Sequence, residues 1–343
     1  MIKVLIVDDS PFIRIALRKI LSSAKDIEVI GEASNGKEAV ELVGKLKPDV
    51  VTLDINMPIM DGLEALENIM RIDPQCRVLM VSALTKEGAR ETIEALNKGA
   101  VDFITKPTDY KELFTFREEI LGKVRAVYQS GKRVKKEIPE IPPVEPLGNF
   151  DIPPVIAIGI STGGPQTLNY VLPRLPENFP SPVLIAIHMP DTFTATFARH
   201  LNALCKIPVS EAKEGEILKG GKIYISRGRI HMTVEGSPTK AVIRYREDNS
   251  YLYKPSADLL LISCAKVFKK NTVGVIMTGM GNDGSRGIVE VKKRRGVTVA
   301  EDPRTAILWA MPENAIKTGC VDHVVSKEKM AQLLIKLSLS VKK

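Results

Sequence analysis

The first 124 residues alternate between short apolar runs and helix-like stretches. The apolar runs are "KVLIVDD", "IEVIGEA", "DVVTLDI", "RVLMVSA" and "VDFITKP". Short apolar runs that alternate with helical stretches are typical of a parallel sheet with helices on both faces. We therefore expect residues 1–124 to form a doubly wound α/β domain.

A second α/β series starts at Pro154 and continues through most of the remaining chain. Its apolar runs are "PVIAIGIS", "PVLIAIH", "TVGVIMTG", "GVTVAED" and "CVDHVVS". Three further runs, "GGKIYIS", "RIHMTVE" and "KAVIRYRE", lie close together and are joined by glycine-containing turns, which predicts a β-hairpin insertion. The predicted fold is thus two doubly wound, parallel-sheet α/β domains, and the second contains the hairpin.

The segment between the two series is charged and then rich in proline. It contains "GKRVKKEIPEIPPVEPLGNFDIPP" and has no apolar period, as expected of a semi-extended linker. We predict a first domain over 1–124, a linker over 125–152 and a second domain over 153–343.

Composition and charge argue against membrane-spanning, secreted and nucleic-acid-binding proteins. The 343 residues are 44% hydrophobic, and no apolar run approaches the roughly 18 residues that cross a bilayer. The N-terminus shows no signal-peptide pattern, and the four cysteines lack metal-ligand or redox spacing, so we expect a cytoplasmic protein without membrane insertion. The net charge is +8, but no recognisable DNA-reading motif accompanies the basic clusters, so we expect no nucleic-acid partner.

Polar residues follow the predicted strands of the first domain. Ligands of open α/β sheets bind beyond the carboxyl ends of the strands, where the sequence has Asp8, Asp9, Asp54, Ser82 and Lys106. Clustered carboxylates suit a hard cation such as Mg²⁺, and one of them can accept a phosphoryl group. Lys106 would contribute a positive charge near the phosphoryl oxygens, and Ser82 a hydroxyl donor.

The first domain resembles response-regulator receiver domains, which have a flavodoxin-like fold. The pieces "VDDSP", "LDINMPIMDG", "VSA" and "TKP" follow the family's order within about residues 1–122. The resemblance implies that a sensor histidine kinase phosphorylates Asp54 and that Ser82 and Phe103 are switch residues, although Phe103 is equally consistent with a core aromatic. The implied Mg²⁺ ligands are Asp8, Asp9, Asp54 and the carbonyl of Asn56.

The second domain contains a glycine-flanked serine at a strand-to-helix turn. Gly159-Ile160-Ser161-Thr162-Gly163 fits G-x-S-x-G, a setting in which a serine is exposed as a nucleophile. Such a serine needs a base, usually a histidine oriented by a carboxylate. His188 ends a predicted strand at the same sheet edge, whereas His200, His231 and His323 occupy less suitable positions.

Two carboxylates compete for the orienting role. Asp283 lies in the glycine-rich turn "MTGMGNDG" after a buried strand, where it could instead cap the following helix. Asp302 follows another strand and is the second candidate. We expect Ser161, His188 and Asp283 to form the catalytic triad.

The second domain also resembles the CheB family of chemotaxis protein-glutamate methylesterases. The resemblance covers about residues 152–340 through "GISTGGP", "HMPDTFTATFARHL", "KPSADLLL", "MTGMGNDG" and "EDPRTAILWAMPENAI". It implies hydrolysis of γ-glutamyl methyl esters on the cytoplasmic helices of chemoreceptors, and deamidation of glutamines, without a cofactor. The backbone amides of Thr162 and Met280 are the candidate oxyanion donors.

The combination of domains suggests a control mechanism. We expect the unphosphorylated receiver to inhibit the esterase until Asp54 is phosphorylated. Two alternatives compete with this interpretation. A transcription factor would have a short helical output module in place of a long α/β domain, and a non-catalytic docking module would not need all three triad residues.

Overall fold

The computed structural model describes residues 1–107, 112–130 and 150–341. The chain divides into two compact units, Met1–Lys132 and Arg133–Lys343. The last helix of the first unit continues to Gln129, past the predicted domain boundary at residue 124. Most of the predicted linker lies outside the described residues, so the assignment of 125–152 as a linker stays a prediction.

The first unit is a five-stranded parallel sheet in the order β2-β1-β3-β4-β5. Its strands are β1 (Ile2–Val7), β2 (Ile27–Ala33), β3 (Val50–Asp54), β4 (Arg77–Ser82) and β5 (Asp102–Thr105). Its helices are α1 (Pro11–Ser22), α2 (Gly36–Leu46), α3 (Gly62–Ile72), α4 (Lys86–Asn97) and α5 (Glu112–Gln129). All five predicted strands are confirmed.

Local sequence explains these boundaries. Four of the five helices begin after a residue whose side chain accepts a backbone N–H from the first turn, namely Ser10, Asn35, Asp61 and Thr85. Every residue of β3 is buried, as expected of a parallel strand covered on both faces.

The second unit is built on a seven-stranded parallel sheet in the order β14-β13-β12-β6-β7-β9-β8. The strands of this sheet are β6 (Val155–Ile160), β7 (Val183–Ile187), β8 (Val209–Glu211), β9 (Ile223–Ile225), β12 (Thr272–Ile276), β13 (Val297–Glu301) and β14 (His323–Val325). The helices are α6 (Gly164–Val171), α7 (Asp191–Leu204), α8 (Ala257–Phe268), α9 (Ser285–Lys293), α10 (Ala310–Lys317) and α11 (Lys327–Leu339).

The predicted hairpin insertion is partly wrong. The antiparallel pair consists of β10 (His231–Ser237) and β11 (Lys240–Arg246) alone. The run "GGKIYIS" forms β9, which pairs in parallel with β7 in the main sheet. All three residues of β9 are buried, so their place is set by burial on both faces. The short strand β8 was not predicted.

The order of the strands locates a crevice. Strand β7, which follows β6 in the chain, pairs with one edge of β6, and the later strand β12 pairs with the other edge. Ligands of open α/β sheets bind beyond the carboxyl ends of the strands at such a reversal. Helix α8 packs on β6 and also carries the β10–β11 hairpin.

Within the described residues, no helix has the length and apolar character needed to cross a membrane.

Candidate active site

The structure brings Ser161, His188 and Asp283 together at the crevice. Ser161 follows β6, and His188 follows the adjacent β7. His188 Nδ1 lies 3.0 Å from Ser161 Oγ, and His188 Nε2 lies 2.9 Å from Asp283 Oδ2. This continuous chain from hydroxyl to imidazole to carboxylate is the arrangement that activates a serine nucleophile.

The turns around Ser161 depend on glycine. Gly163 has φ +74°, in the left-handed region, and a Cβ there would meet the side chain of Ile307. A Cβ on Gly279 would lie 2.7 Å from Cβ of Ser161. The backbone N–H of Ser161 donates to the carbonyl of Thr278 at 2.9 Å. Close backbone packing therefore holds the serine in place.

Asp283 is held by the first turn of α8. Its Oδ1 accepts from the hydroxyl of Ser256 at 2.9 Å and from the amide of Asp258 at 3.0 Å, and its Oδ2 accepts from the amide of Ala257 at 2.7 Å. Burial alone would raise the pKa of Asp283, but the hydrogen bond and charge of His188, with the two amides, hold that pKa below its ordinary value. The carboxylate therefore stays ionised beside His188.

The structure distinguishes Asp283 from Asp302 as the partner of His188, and it shows which helix Asp283 binds. Helix α9 begins at Ser285, and its N-cap residue Gly284 makes no side-chain capping bond. Asp283 therefore does not cap the helix that follows it, and instead accepts from the first turn of α8. Asp302 accepts from the backbone and guanidinium of Arg304. Within the described part of the chain, the hydrogen bonds of His188 go to Ser161 and Asp283 and not to Asp302.

The other three histidines lie on β10, α7 and β14. His231 is fully buried and bonds to the carbonyl of Asp248 and to the amide of Ser256. Burial lowers the pKa of His200 on α7 and of His323 on β14.

Tyr253 and Ser256 belong to the site but were not predicted. The Tyr253 ring stacks on the His188 imidazole with centroids 4.6 Å apart and planes 9° apart. Burial raises the pKa of the Tyr253 hydroxyl, and the charge of Asp283 adds to this effect. Ser256 could have been recognised as the N-cap of α8, but its bond to Asp283 spans 27 positions and leaves no local signal.

The oxyanion donors stay a prediction. Thr162 is buried directly after Ser161, and Met280 follows Gly279, which packs against Ser161. Thr162 is thus next to Ser161 in the chain, and Met280 is next to a residue that packs against Ser161.

The first unit assembles a second polar site at its sheet edge. Ligand atoms of Asp8, Asp9 and Asp54 lie within 4.8 Å of one another. Lys106 Nζ lies 2.8 Å from carboxylate oxygens of both Asp8 and Asp54. Burial raises the pKa of Asp54 to about 6, although Lys106 opposes this rise. Three converging carboxylates fit a divalent cation with oxygen ligands.

The remaining predicted receiver residues lie on β4, on β5 and just after β3. Ser82 is buried at the end of β4, where its hydroxyl accepts from Thr92 at 2.8 Å. Phe103 is buried in β5. Asn56 is exposed, and its side-chain amide donates to Glu91 at 3.2 Å. The roles of these residues stay predictions.

Comparison with known proteins decides the family. The CheB methylesterase family model matches residues 156–334, and the response regulator receiver domain model matches residues 4–116. This chain belongs to the CheB methylesterase family. Both resemblances expected from the sequence are confirmed, and the second domain is a methylesterase-type hydrolase domain.

Relatives named as methylesterases match almost the whole of this chain. A protein-glutamate methylesterase/protein-glutamine glutaminase of Pyrococcus abyssi is 43% identical over 98% of this chain and 93% of its own length. Its counterpart from Thermotoga maritima is 41% identical over 98% of both chains. The crystal structure of the Thermotoga maritima CheB methylesterase catalytic domain aligns with a TM-score of 0.52 and 36% identity, covering 54% of this chain and 98% of that one.

Proposed function

We propose that this CheB-family protein is a phosphorylation-controlled serine esterase of bacterial chemotaxis. Its substrates are γ-glutamyl methyl esters, and specific glutamines, on the cytoplasmic helices of chemoreceptors, and removal of the methyl groups produces adaptation. The observation that carries the proposal is the hydrogen-bonded chain of Ser161, His188 and Asp283 at the crevice of the sheet.

The reaction follows from the placement of the atoms. Nδ1 of His188 accepts the proton of Ser161 Oγ as this oxygen attacks the ester carbonyl. Asp283 keeps the other ring nitrogen, Nε2, as the donor and stabilises the imidazolium. The imidazolium then protonates the departing methoxide, which leaves as methanol. Water hydrolyses the acyl-enzyme with His188 again as the base, and the product is a glutamate side chain.

Glutamine deamidation uses the same acyl-enzyme. Ammonia replaces methanol as the leaving group, and it needs the proton from His188 more than methanol does. Amides of Thr162 and Met280 stabilise the oxyanion in both reactions, at about 3 kcal/mol for each donor.

Methanol release from methylated chemoreceptor membranes tests the proposed chemistry. The full-length protein should release methanol, and Ser161→Ala should reduce the rate to the background while leaving the unfolding transition unchanged. A folded Ser161→Ala variant that demethylates at the normal rate would show that another group is the nucleophile.

The receiver site supports phosphorylation at Asp54. Asp8, Asp9 and Asp54, with the carbonyl of Asn56, would hold Mg²⁺, which offsets the negative charge on the incoming phosphoryl group. Lys106 lies beside Asp54 and would pair with phosphoryl oxygens. The physiological donor is a chemotaxis histidine kinase, and the reaction takes place in the cytoplasm.

We further propose that the unphosphorylated receiver inhibits the esterase. An esterase that worked continuously would remove methyl groups regardless of signal, and a short tether keeps two domains at high effective concentration. Acetyl phosphate with Mg²⁺ should raise methanol release by the full chain, and Asp54→Asn should prevent this rise. Removal of residues 1–150 should raise basal activity. If the fragment folds but works no faster than the unphosphorylated full chain, phosphorylation acts by activation or recruitment instead.

A further inference from the structure

The first turn of α8 determines the orientation of Asp283. Apart from the bond to His188, the hydrogen bonds to this carboxylate come from Ser256, Ala257 and Asp258. A shift of this turn would therefore move the carboxylate relative to His188 Nε2.

The same turn is held from its other side by His231, the first residue of β10. The backbone N–H of Ser256 donates to Nδ1 of His231 at 3.1 Å. Because Nδ1 is the acceptor, Nε2 carries the ring proton, which it donates to the carbonyl of Asp248 at 2.9 Å. The ring is fully buried, and Tyr251 packs edge-on against it with centroids 5.6 Å apart. A buried side chain with both polar atoms bonded has a fixed orientation.

We propose that His231 and Ser256 are positioning residues that hold Asp283 in register with His188. The inference rests on the proposed esterase function and adds that the β10–β11 hairpin is part of the catalytic support. Its chain of contacts runs from the Asp248 carbonyl through His231 and Ser256 to Oδ1 of Asp283. Among the described residues, His231 forms its hydrogen bonds with Asp248 and Ser256 and none with a triad residue, so its effect on catalysis is transmitted through Ser256.

Ser256 has two roles that the experiment must separate. Its hydroxyl donates to Asp283 and also accepts the amide of Leu259 at 3.4 Å as the N-cap of α8. Glycine is a nearly equivalent N-cap, and alanine is a poor one. Ser256→Gly therefore removes the bond to Asp283 with little loss of capping, and Ser256→Thr retains both.

Ser263 supplies a matched control on the same helix. Its hydroxyl accepts the amide of Val234 at 3.1 Å and donates to the carbonyl of Leu260 at 2.9 Å. It thus joins the hairpin to α8, as His231 does, but it makes no contact with Asp283 among the described residues. Ser263→Ala should perturb packing of the hairpin without affecting the triad.

The experiment measures kcat and KM for methanol release by the full chain, with tritium-methylated chemoreceptor membranes as the probe. We expect Ser256→Ala and Ser256→Gly to lower kcat by about tenfold or more, since each removes a hydrogen bond to a charged group. KM should stay within about twofold, because no substrate contact is lost. Ser256→Thr and Ser263→Ala should keep most of kcat.

A second pair of variants tests His231. His231→Gln can still accept from Ser256 and donate to Asp248, whereas His231→Leu can do neither, so kcat should be at least about threefold higher for Gln than for Leu. Equal kcat in this pair, equal losses in Ser256→Gly and Ser263→Ala, or a loss confined to KM would overturn the inference. If a Ser256 variant fails to fold, the His231 pair decides. Activity in Ser161→Ala would refute the esterase proposal itself, and is therefore a separate outcome.

Discussion

Glu301 makes the stability of the second unit depend on pH. It ends β13 and is fully buried. Its Oε2 accepts the amide of Thr278 at 2.9 Å, while Oε1 has no hydrogen-bond partner in the described residues. Burial raises the pKa of Glu301 to about 7 despite the Thr278 amide and the charge of Lys327, which lower it. The Glu301 carboxyl is therefore protonated up to a higher pH in the native protein than in the unfolded chain.

The sign and size of the effect follow from proton linkage. The ordinary pKa is 4.5, so the unfolded chain releases this proton at lower pH than the native protein. Native stability is therefore fully present below pH 4.5, declines as the pH rises towards 7, and stays reduced above it. One pH unit corresponds to about 1.4 kcal/mol, so the loss is about 3 kcal/mol. Glu301→Gln removes this loss because its amide is neutral throughout and can still accept from Thr278.

Urea unfolding at pH 5 and pH 8 measures the effect. Trp309, the one tryptophan of the chain, precedes α10, so its fluorescence reports on the second unit separately from the receiver. The advantage of Glu301→Gln over the unmodified protein should grow from about 1 kcal/mol at pH 5 to about 3 kcal/mol at pH 8. Glu177→Gln removes an exposed carboxylate and is the control. If Glu301→Gln retains the full pH dependence of the unmodified protein, the carboxyl is not protonated in the native state.

Three further predictions concern the two sites. Asp283→Asn should lower methanol release by about 10⁴-fold because the amide favours the wrong imidazole tautomer. Asp302→Asn should keep most activity. The reverse result would make Asp302 the orienting carboxylate. Acetyl phosphate should label the full chain only with Mg²⁺ present, and label that persists in Asp54→Asn would place the acceptor elsewhere. Lys106→Met should raise the pKa of Asp54 above about 6, since Lys106 lowers it; a carboxyl NMR titration showing no change would contradict the role of the ion pair.

The receiver could be predicted well because its signals are local and strong. The strands have four to seven residues. Polar residues lie at or just after the ends of four of them, β1, β3, β4 and β5, namely Asp8, Asp54, Ser82 and Lys106. The parallel arrangement then brings those ends to one edge, which places Asp8, Asp54 and Lys106 together. Strand alternation alone is sufficient for this step.

The second unit was less predictable where its elements are short or its contacts distant. Strands β8 and β9 contain three residues each, too few to reveal a period. Tyr253 stacks on His188 from a loop before α8, and no sequence pattern joins residues that lie 65 positions apart. Hydrogen bonds from Ser256, Ala257 and Asp258 to Asp283 are equally invisible, because the sequence shows only that Asp283 precedes a different helix.

Asp283 does bind a helix N-terminus, but that of α8 and not that of the helix that follows it in the chain. A helix N-terminus favours negative charge, and the first turn of α8 presents two amides and a hydroxyl to this carboxylate. The same bonds that keep Asp283 ionised when buried also leave one lone pair of Oδ2 for His188. The buried charge of Asp283 beside His188 is thus stabilised by helix α8, which precedes Asp283 in the chain.

The chain order of the proposed triad can be compared with the sheet topology. Ser161, His188 and Asp283 appear in the order serine, histidine, aspartate, unlike the serine, aspartate, histidine order of α/β-hydrolases. They follow β6, β7 and β12, and these strands are neighbours in the order β12-β6-β7. The serine therefore follows the middle strand of the three, and each partner follows a strand beside it. Proton transfer from serine to histidine requires that the residues follow adjacent strands of the sheet. The order of residues along the chain does not determine this adjacency.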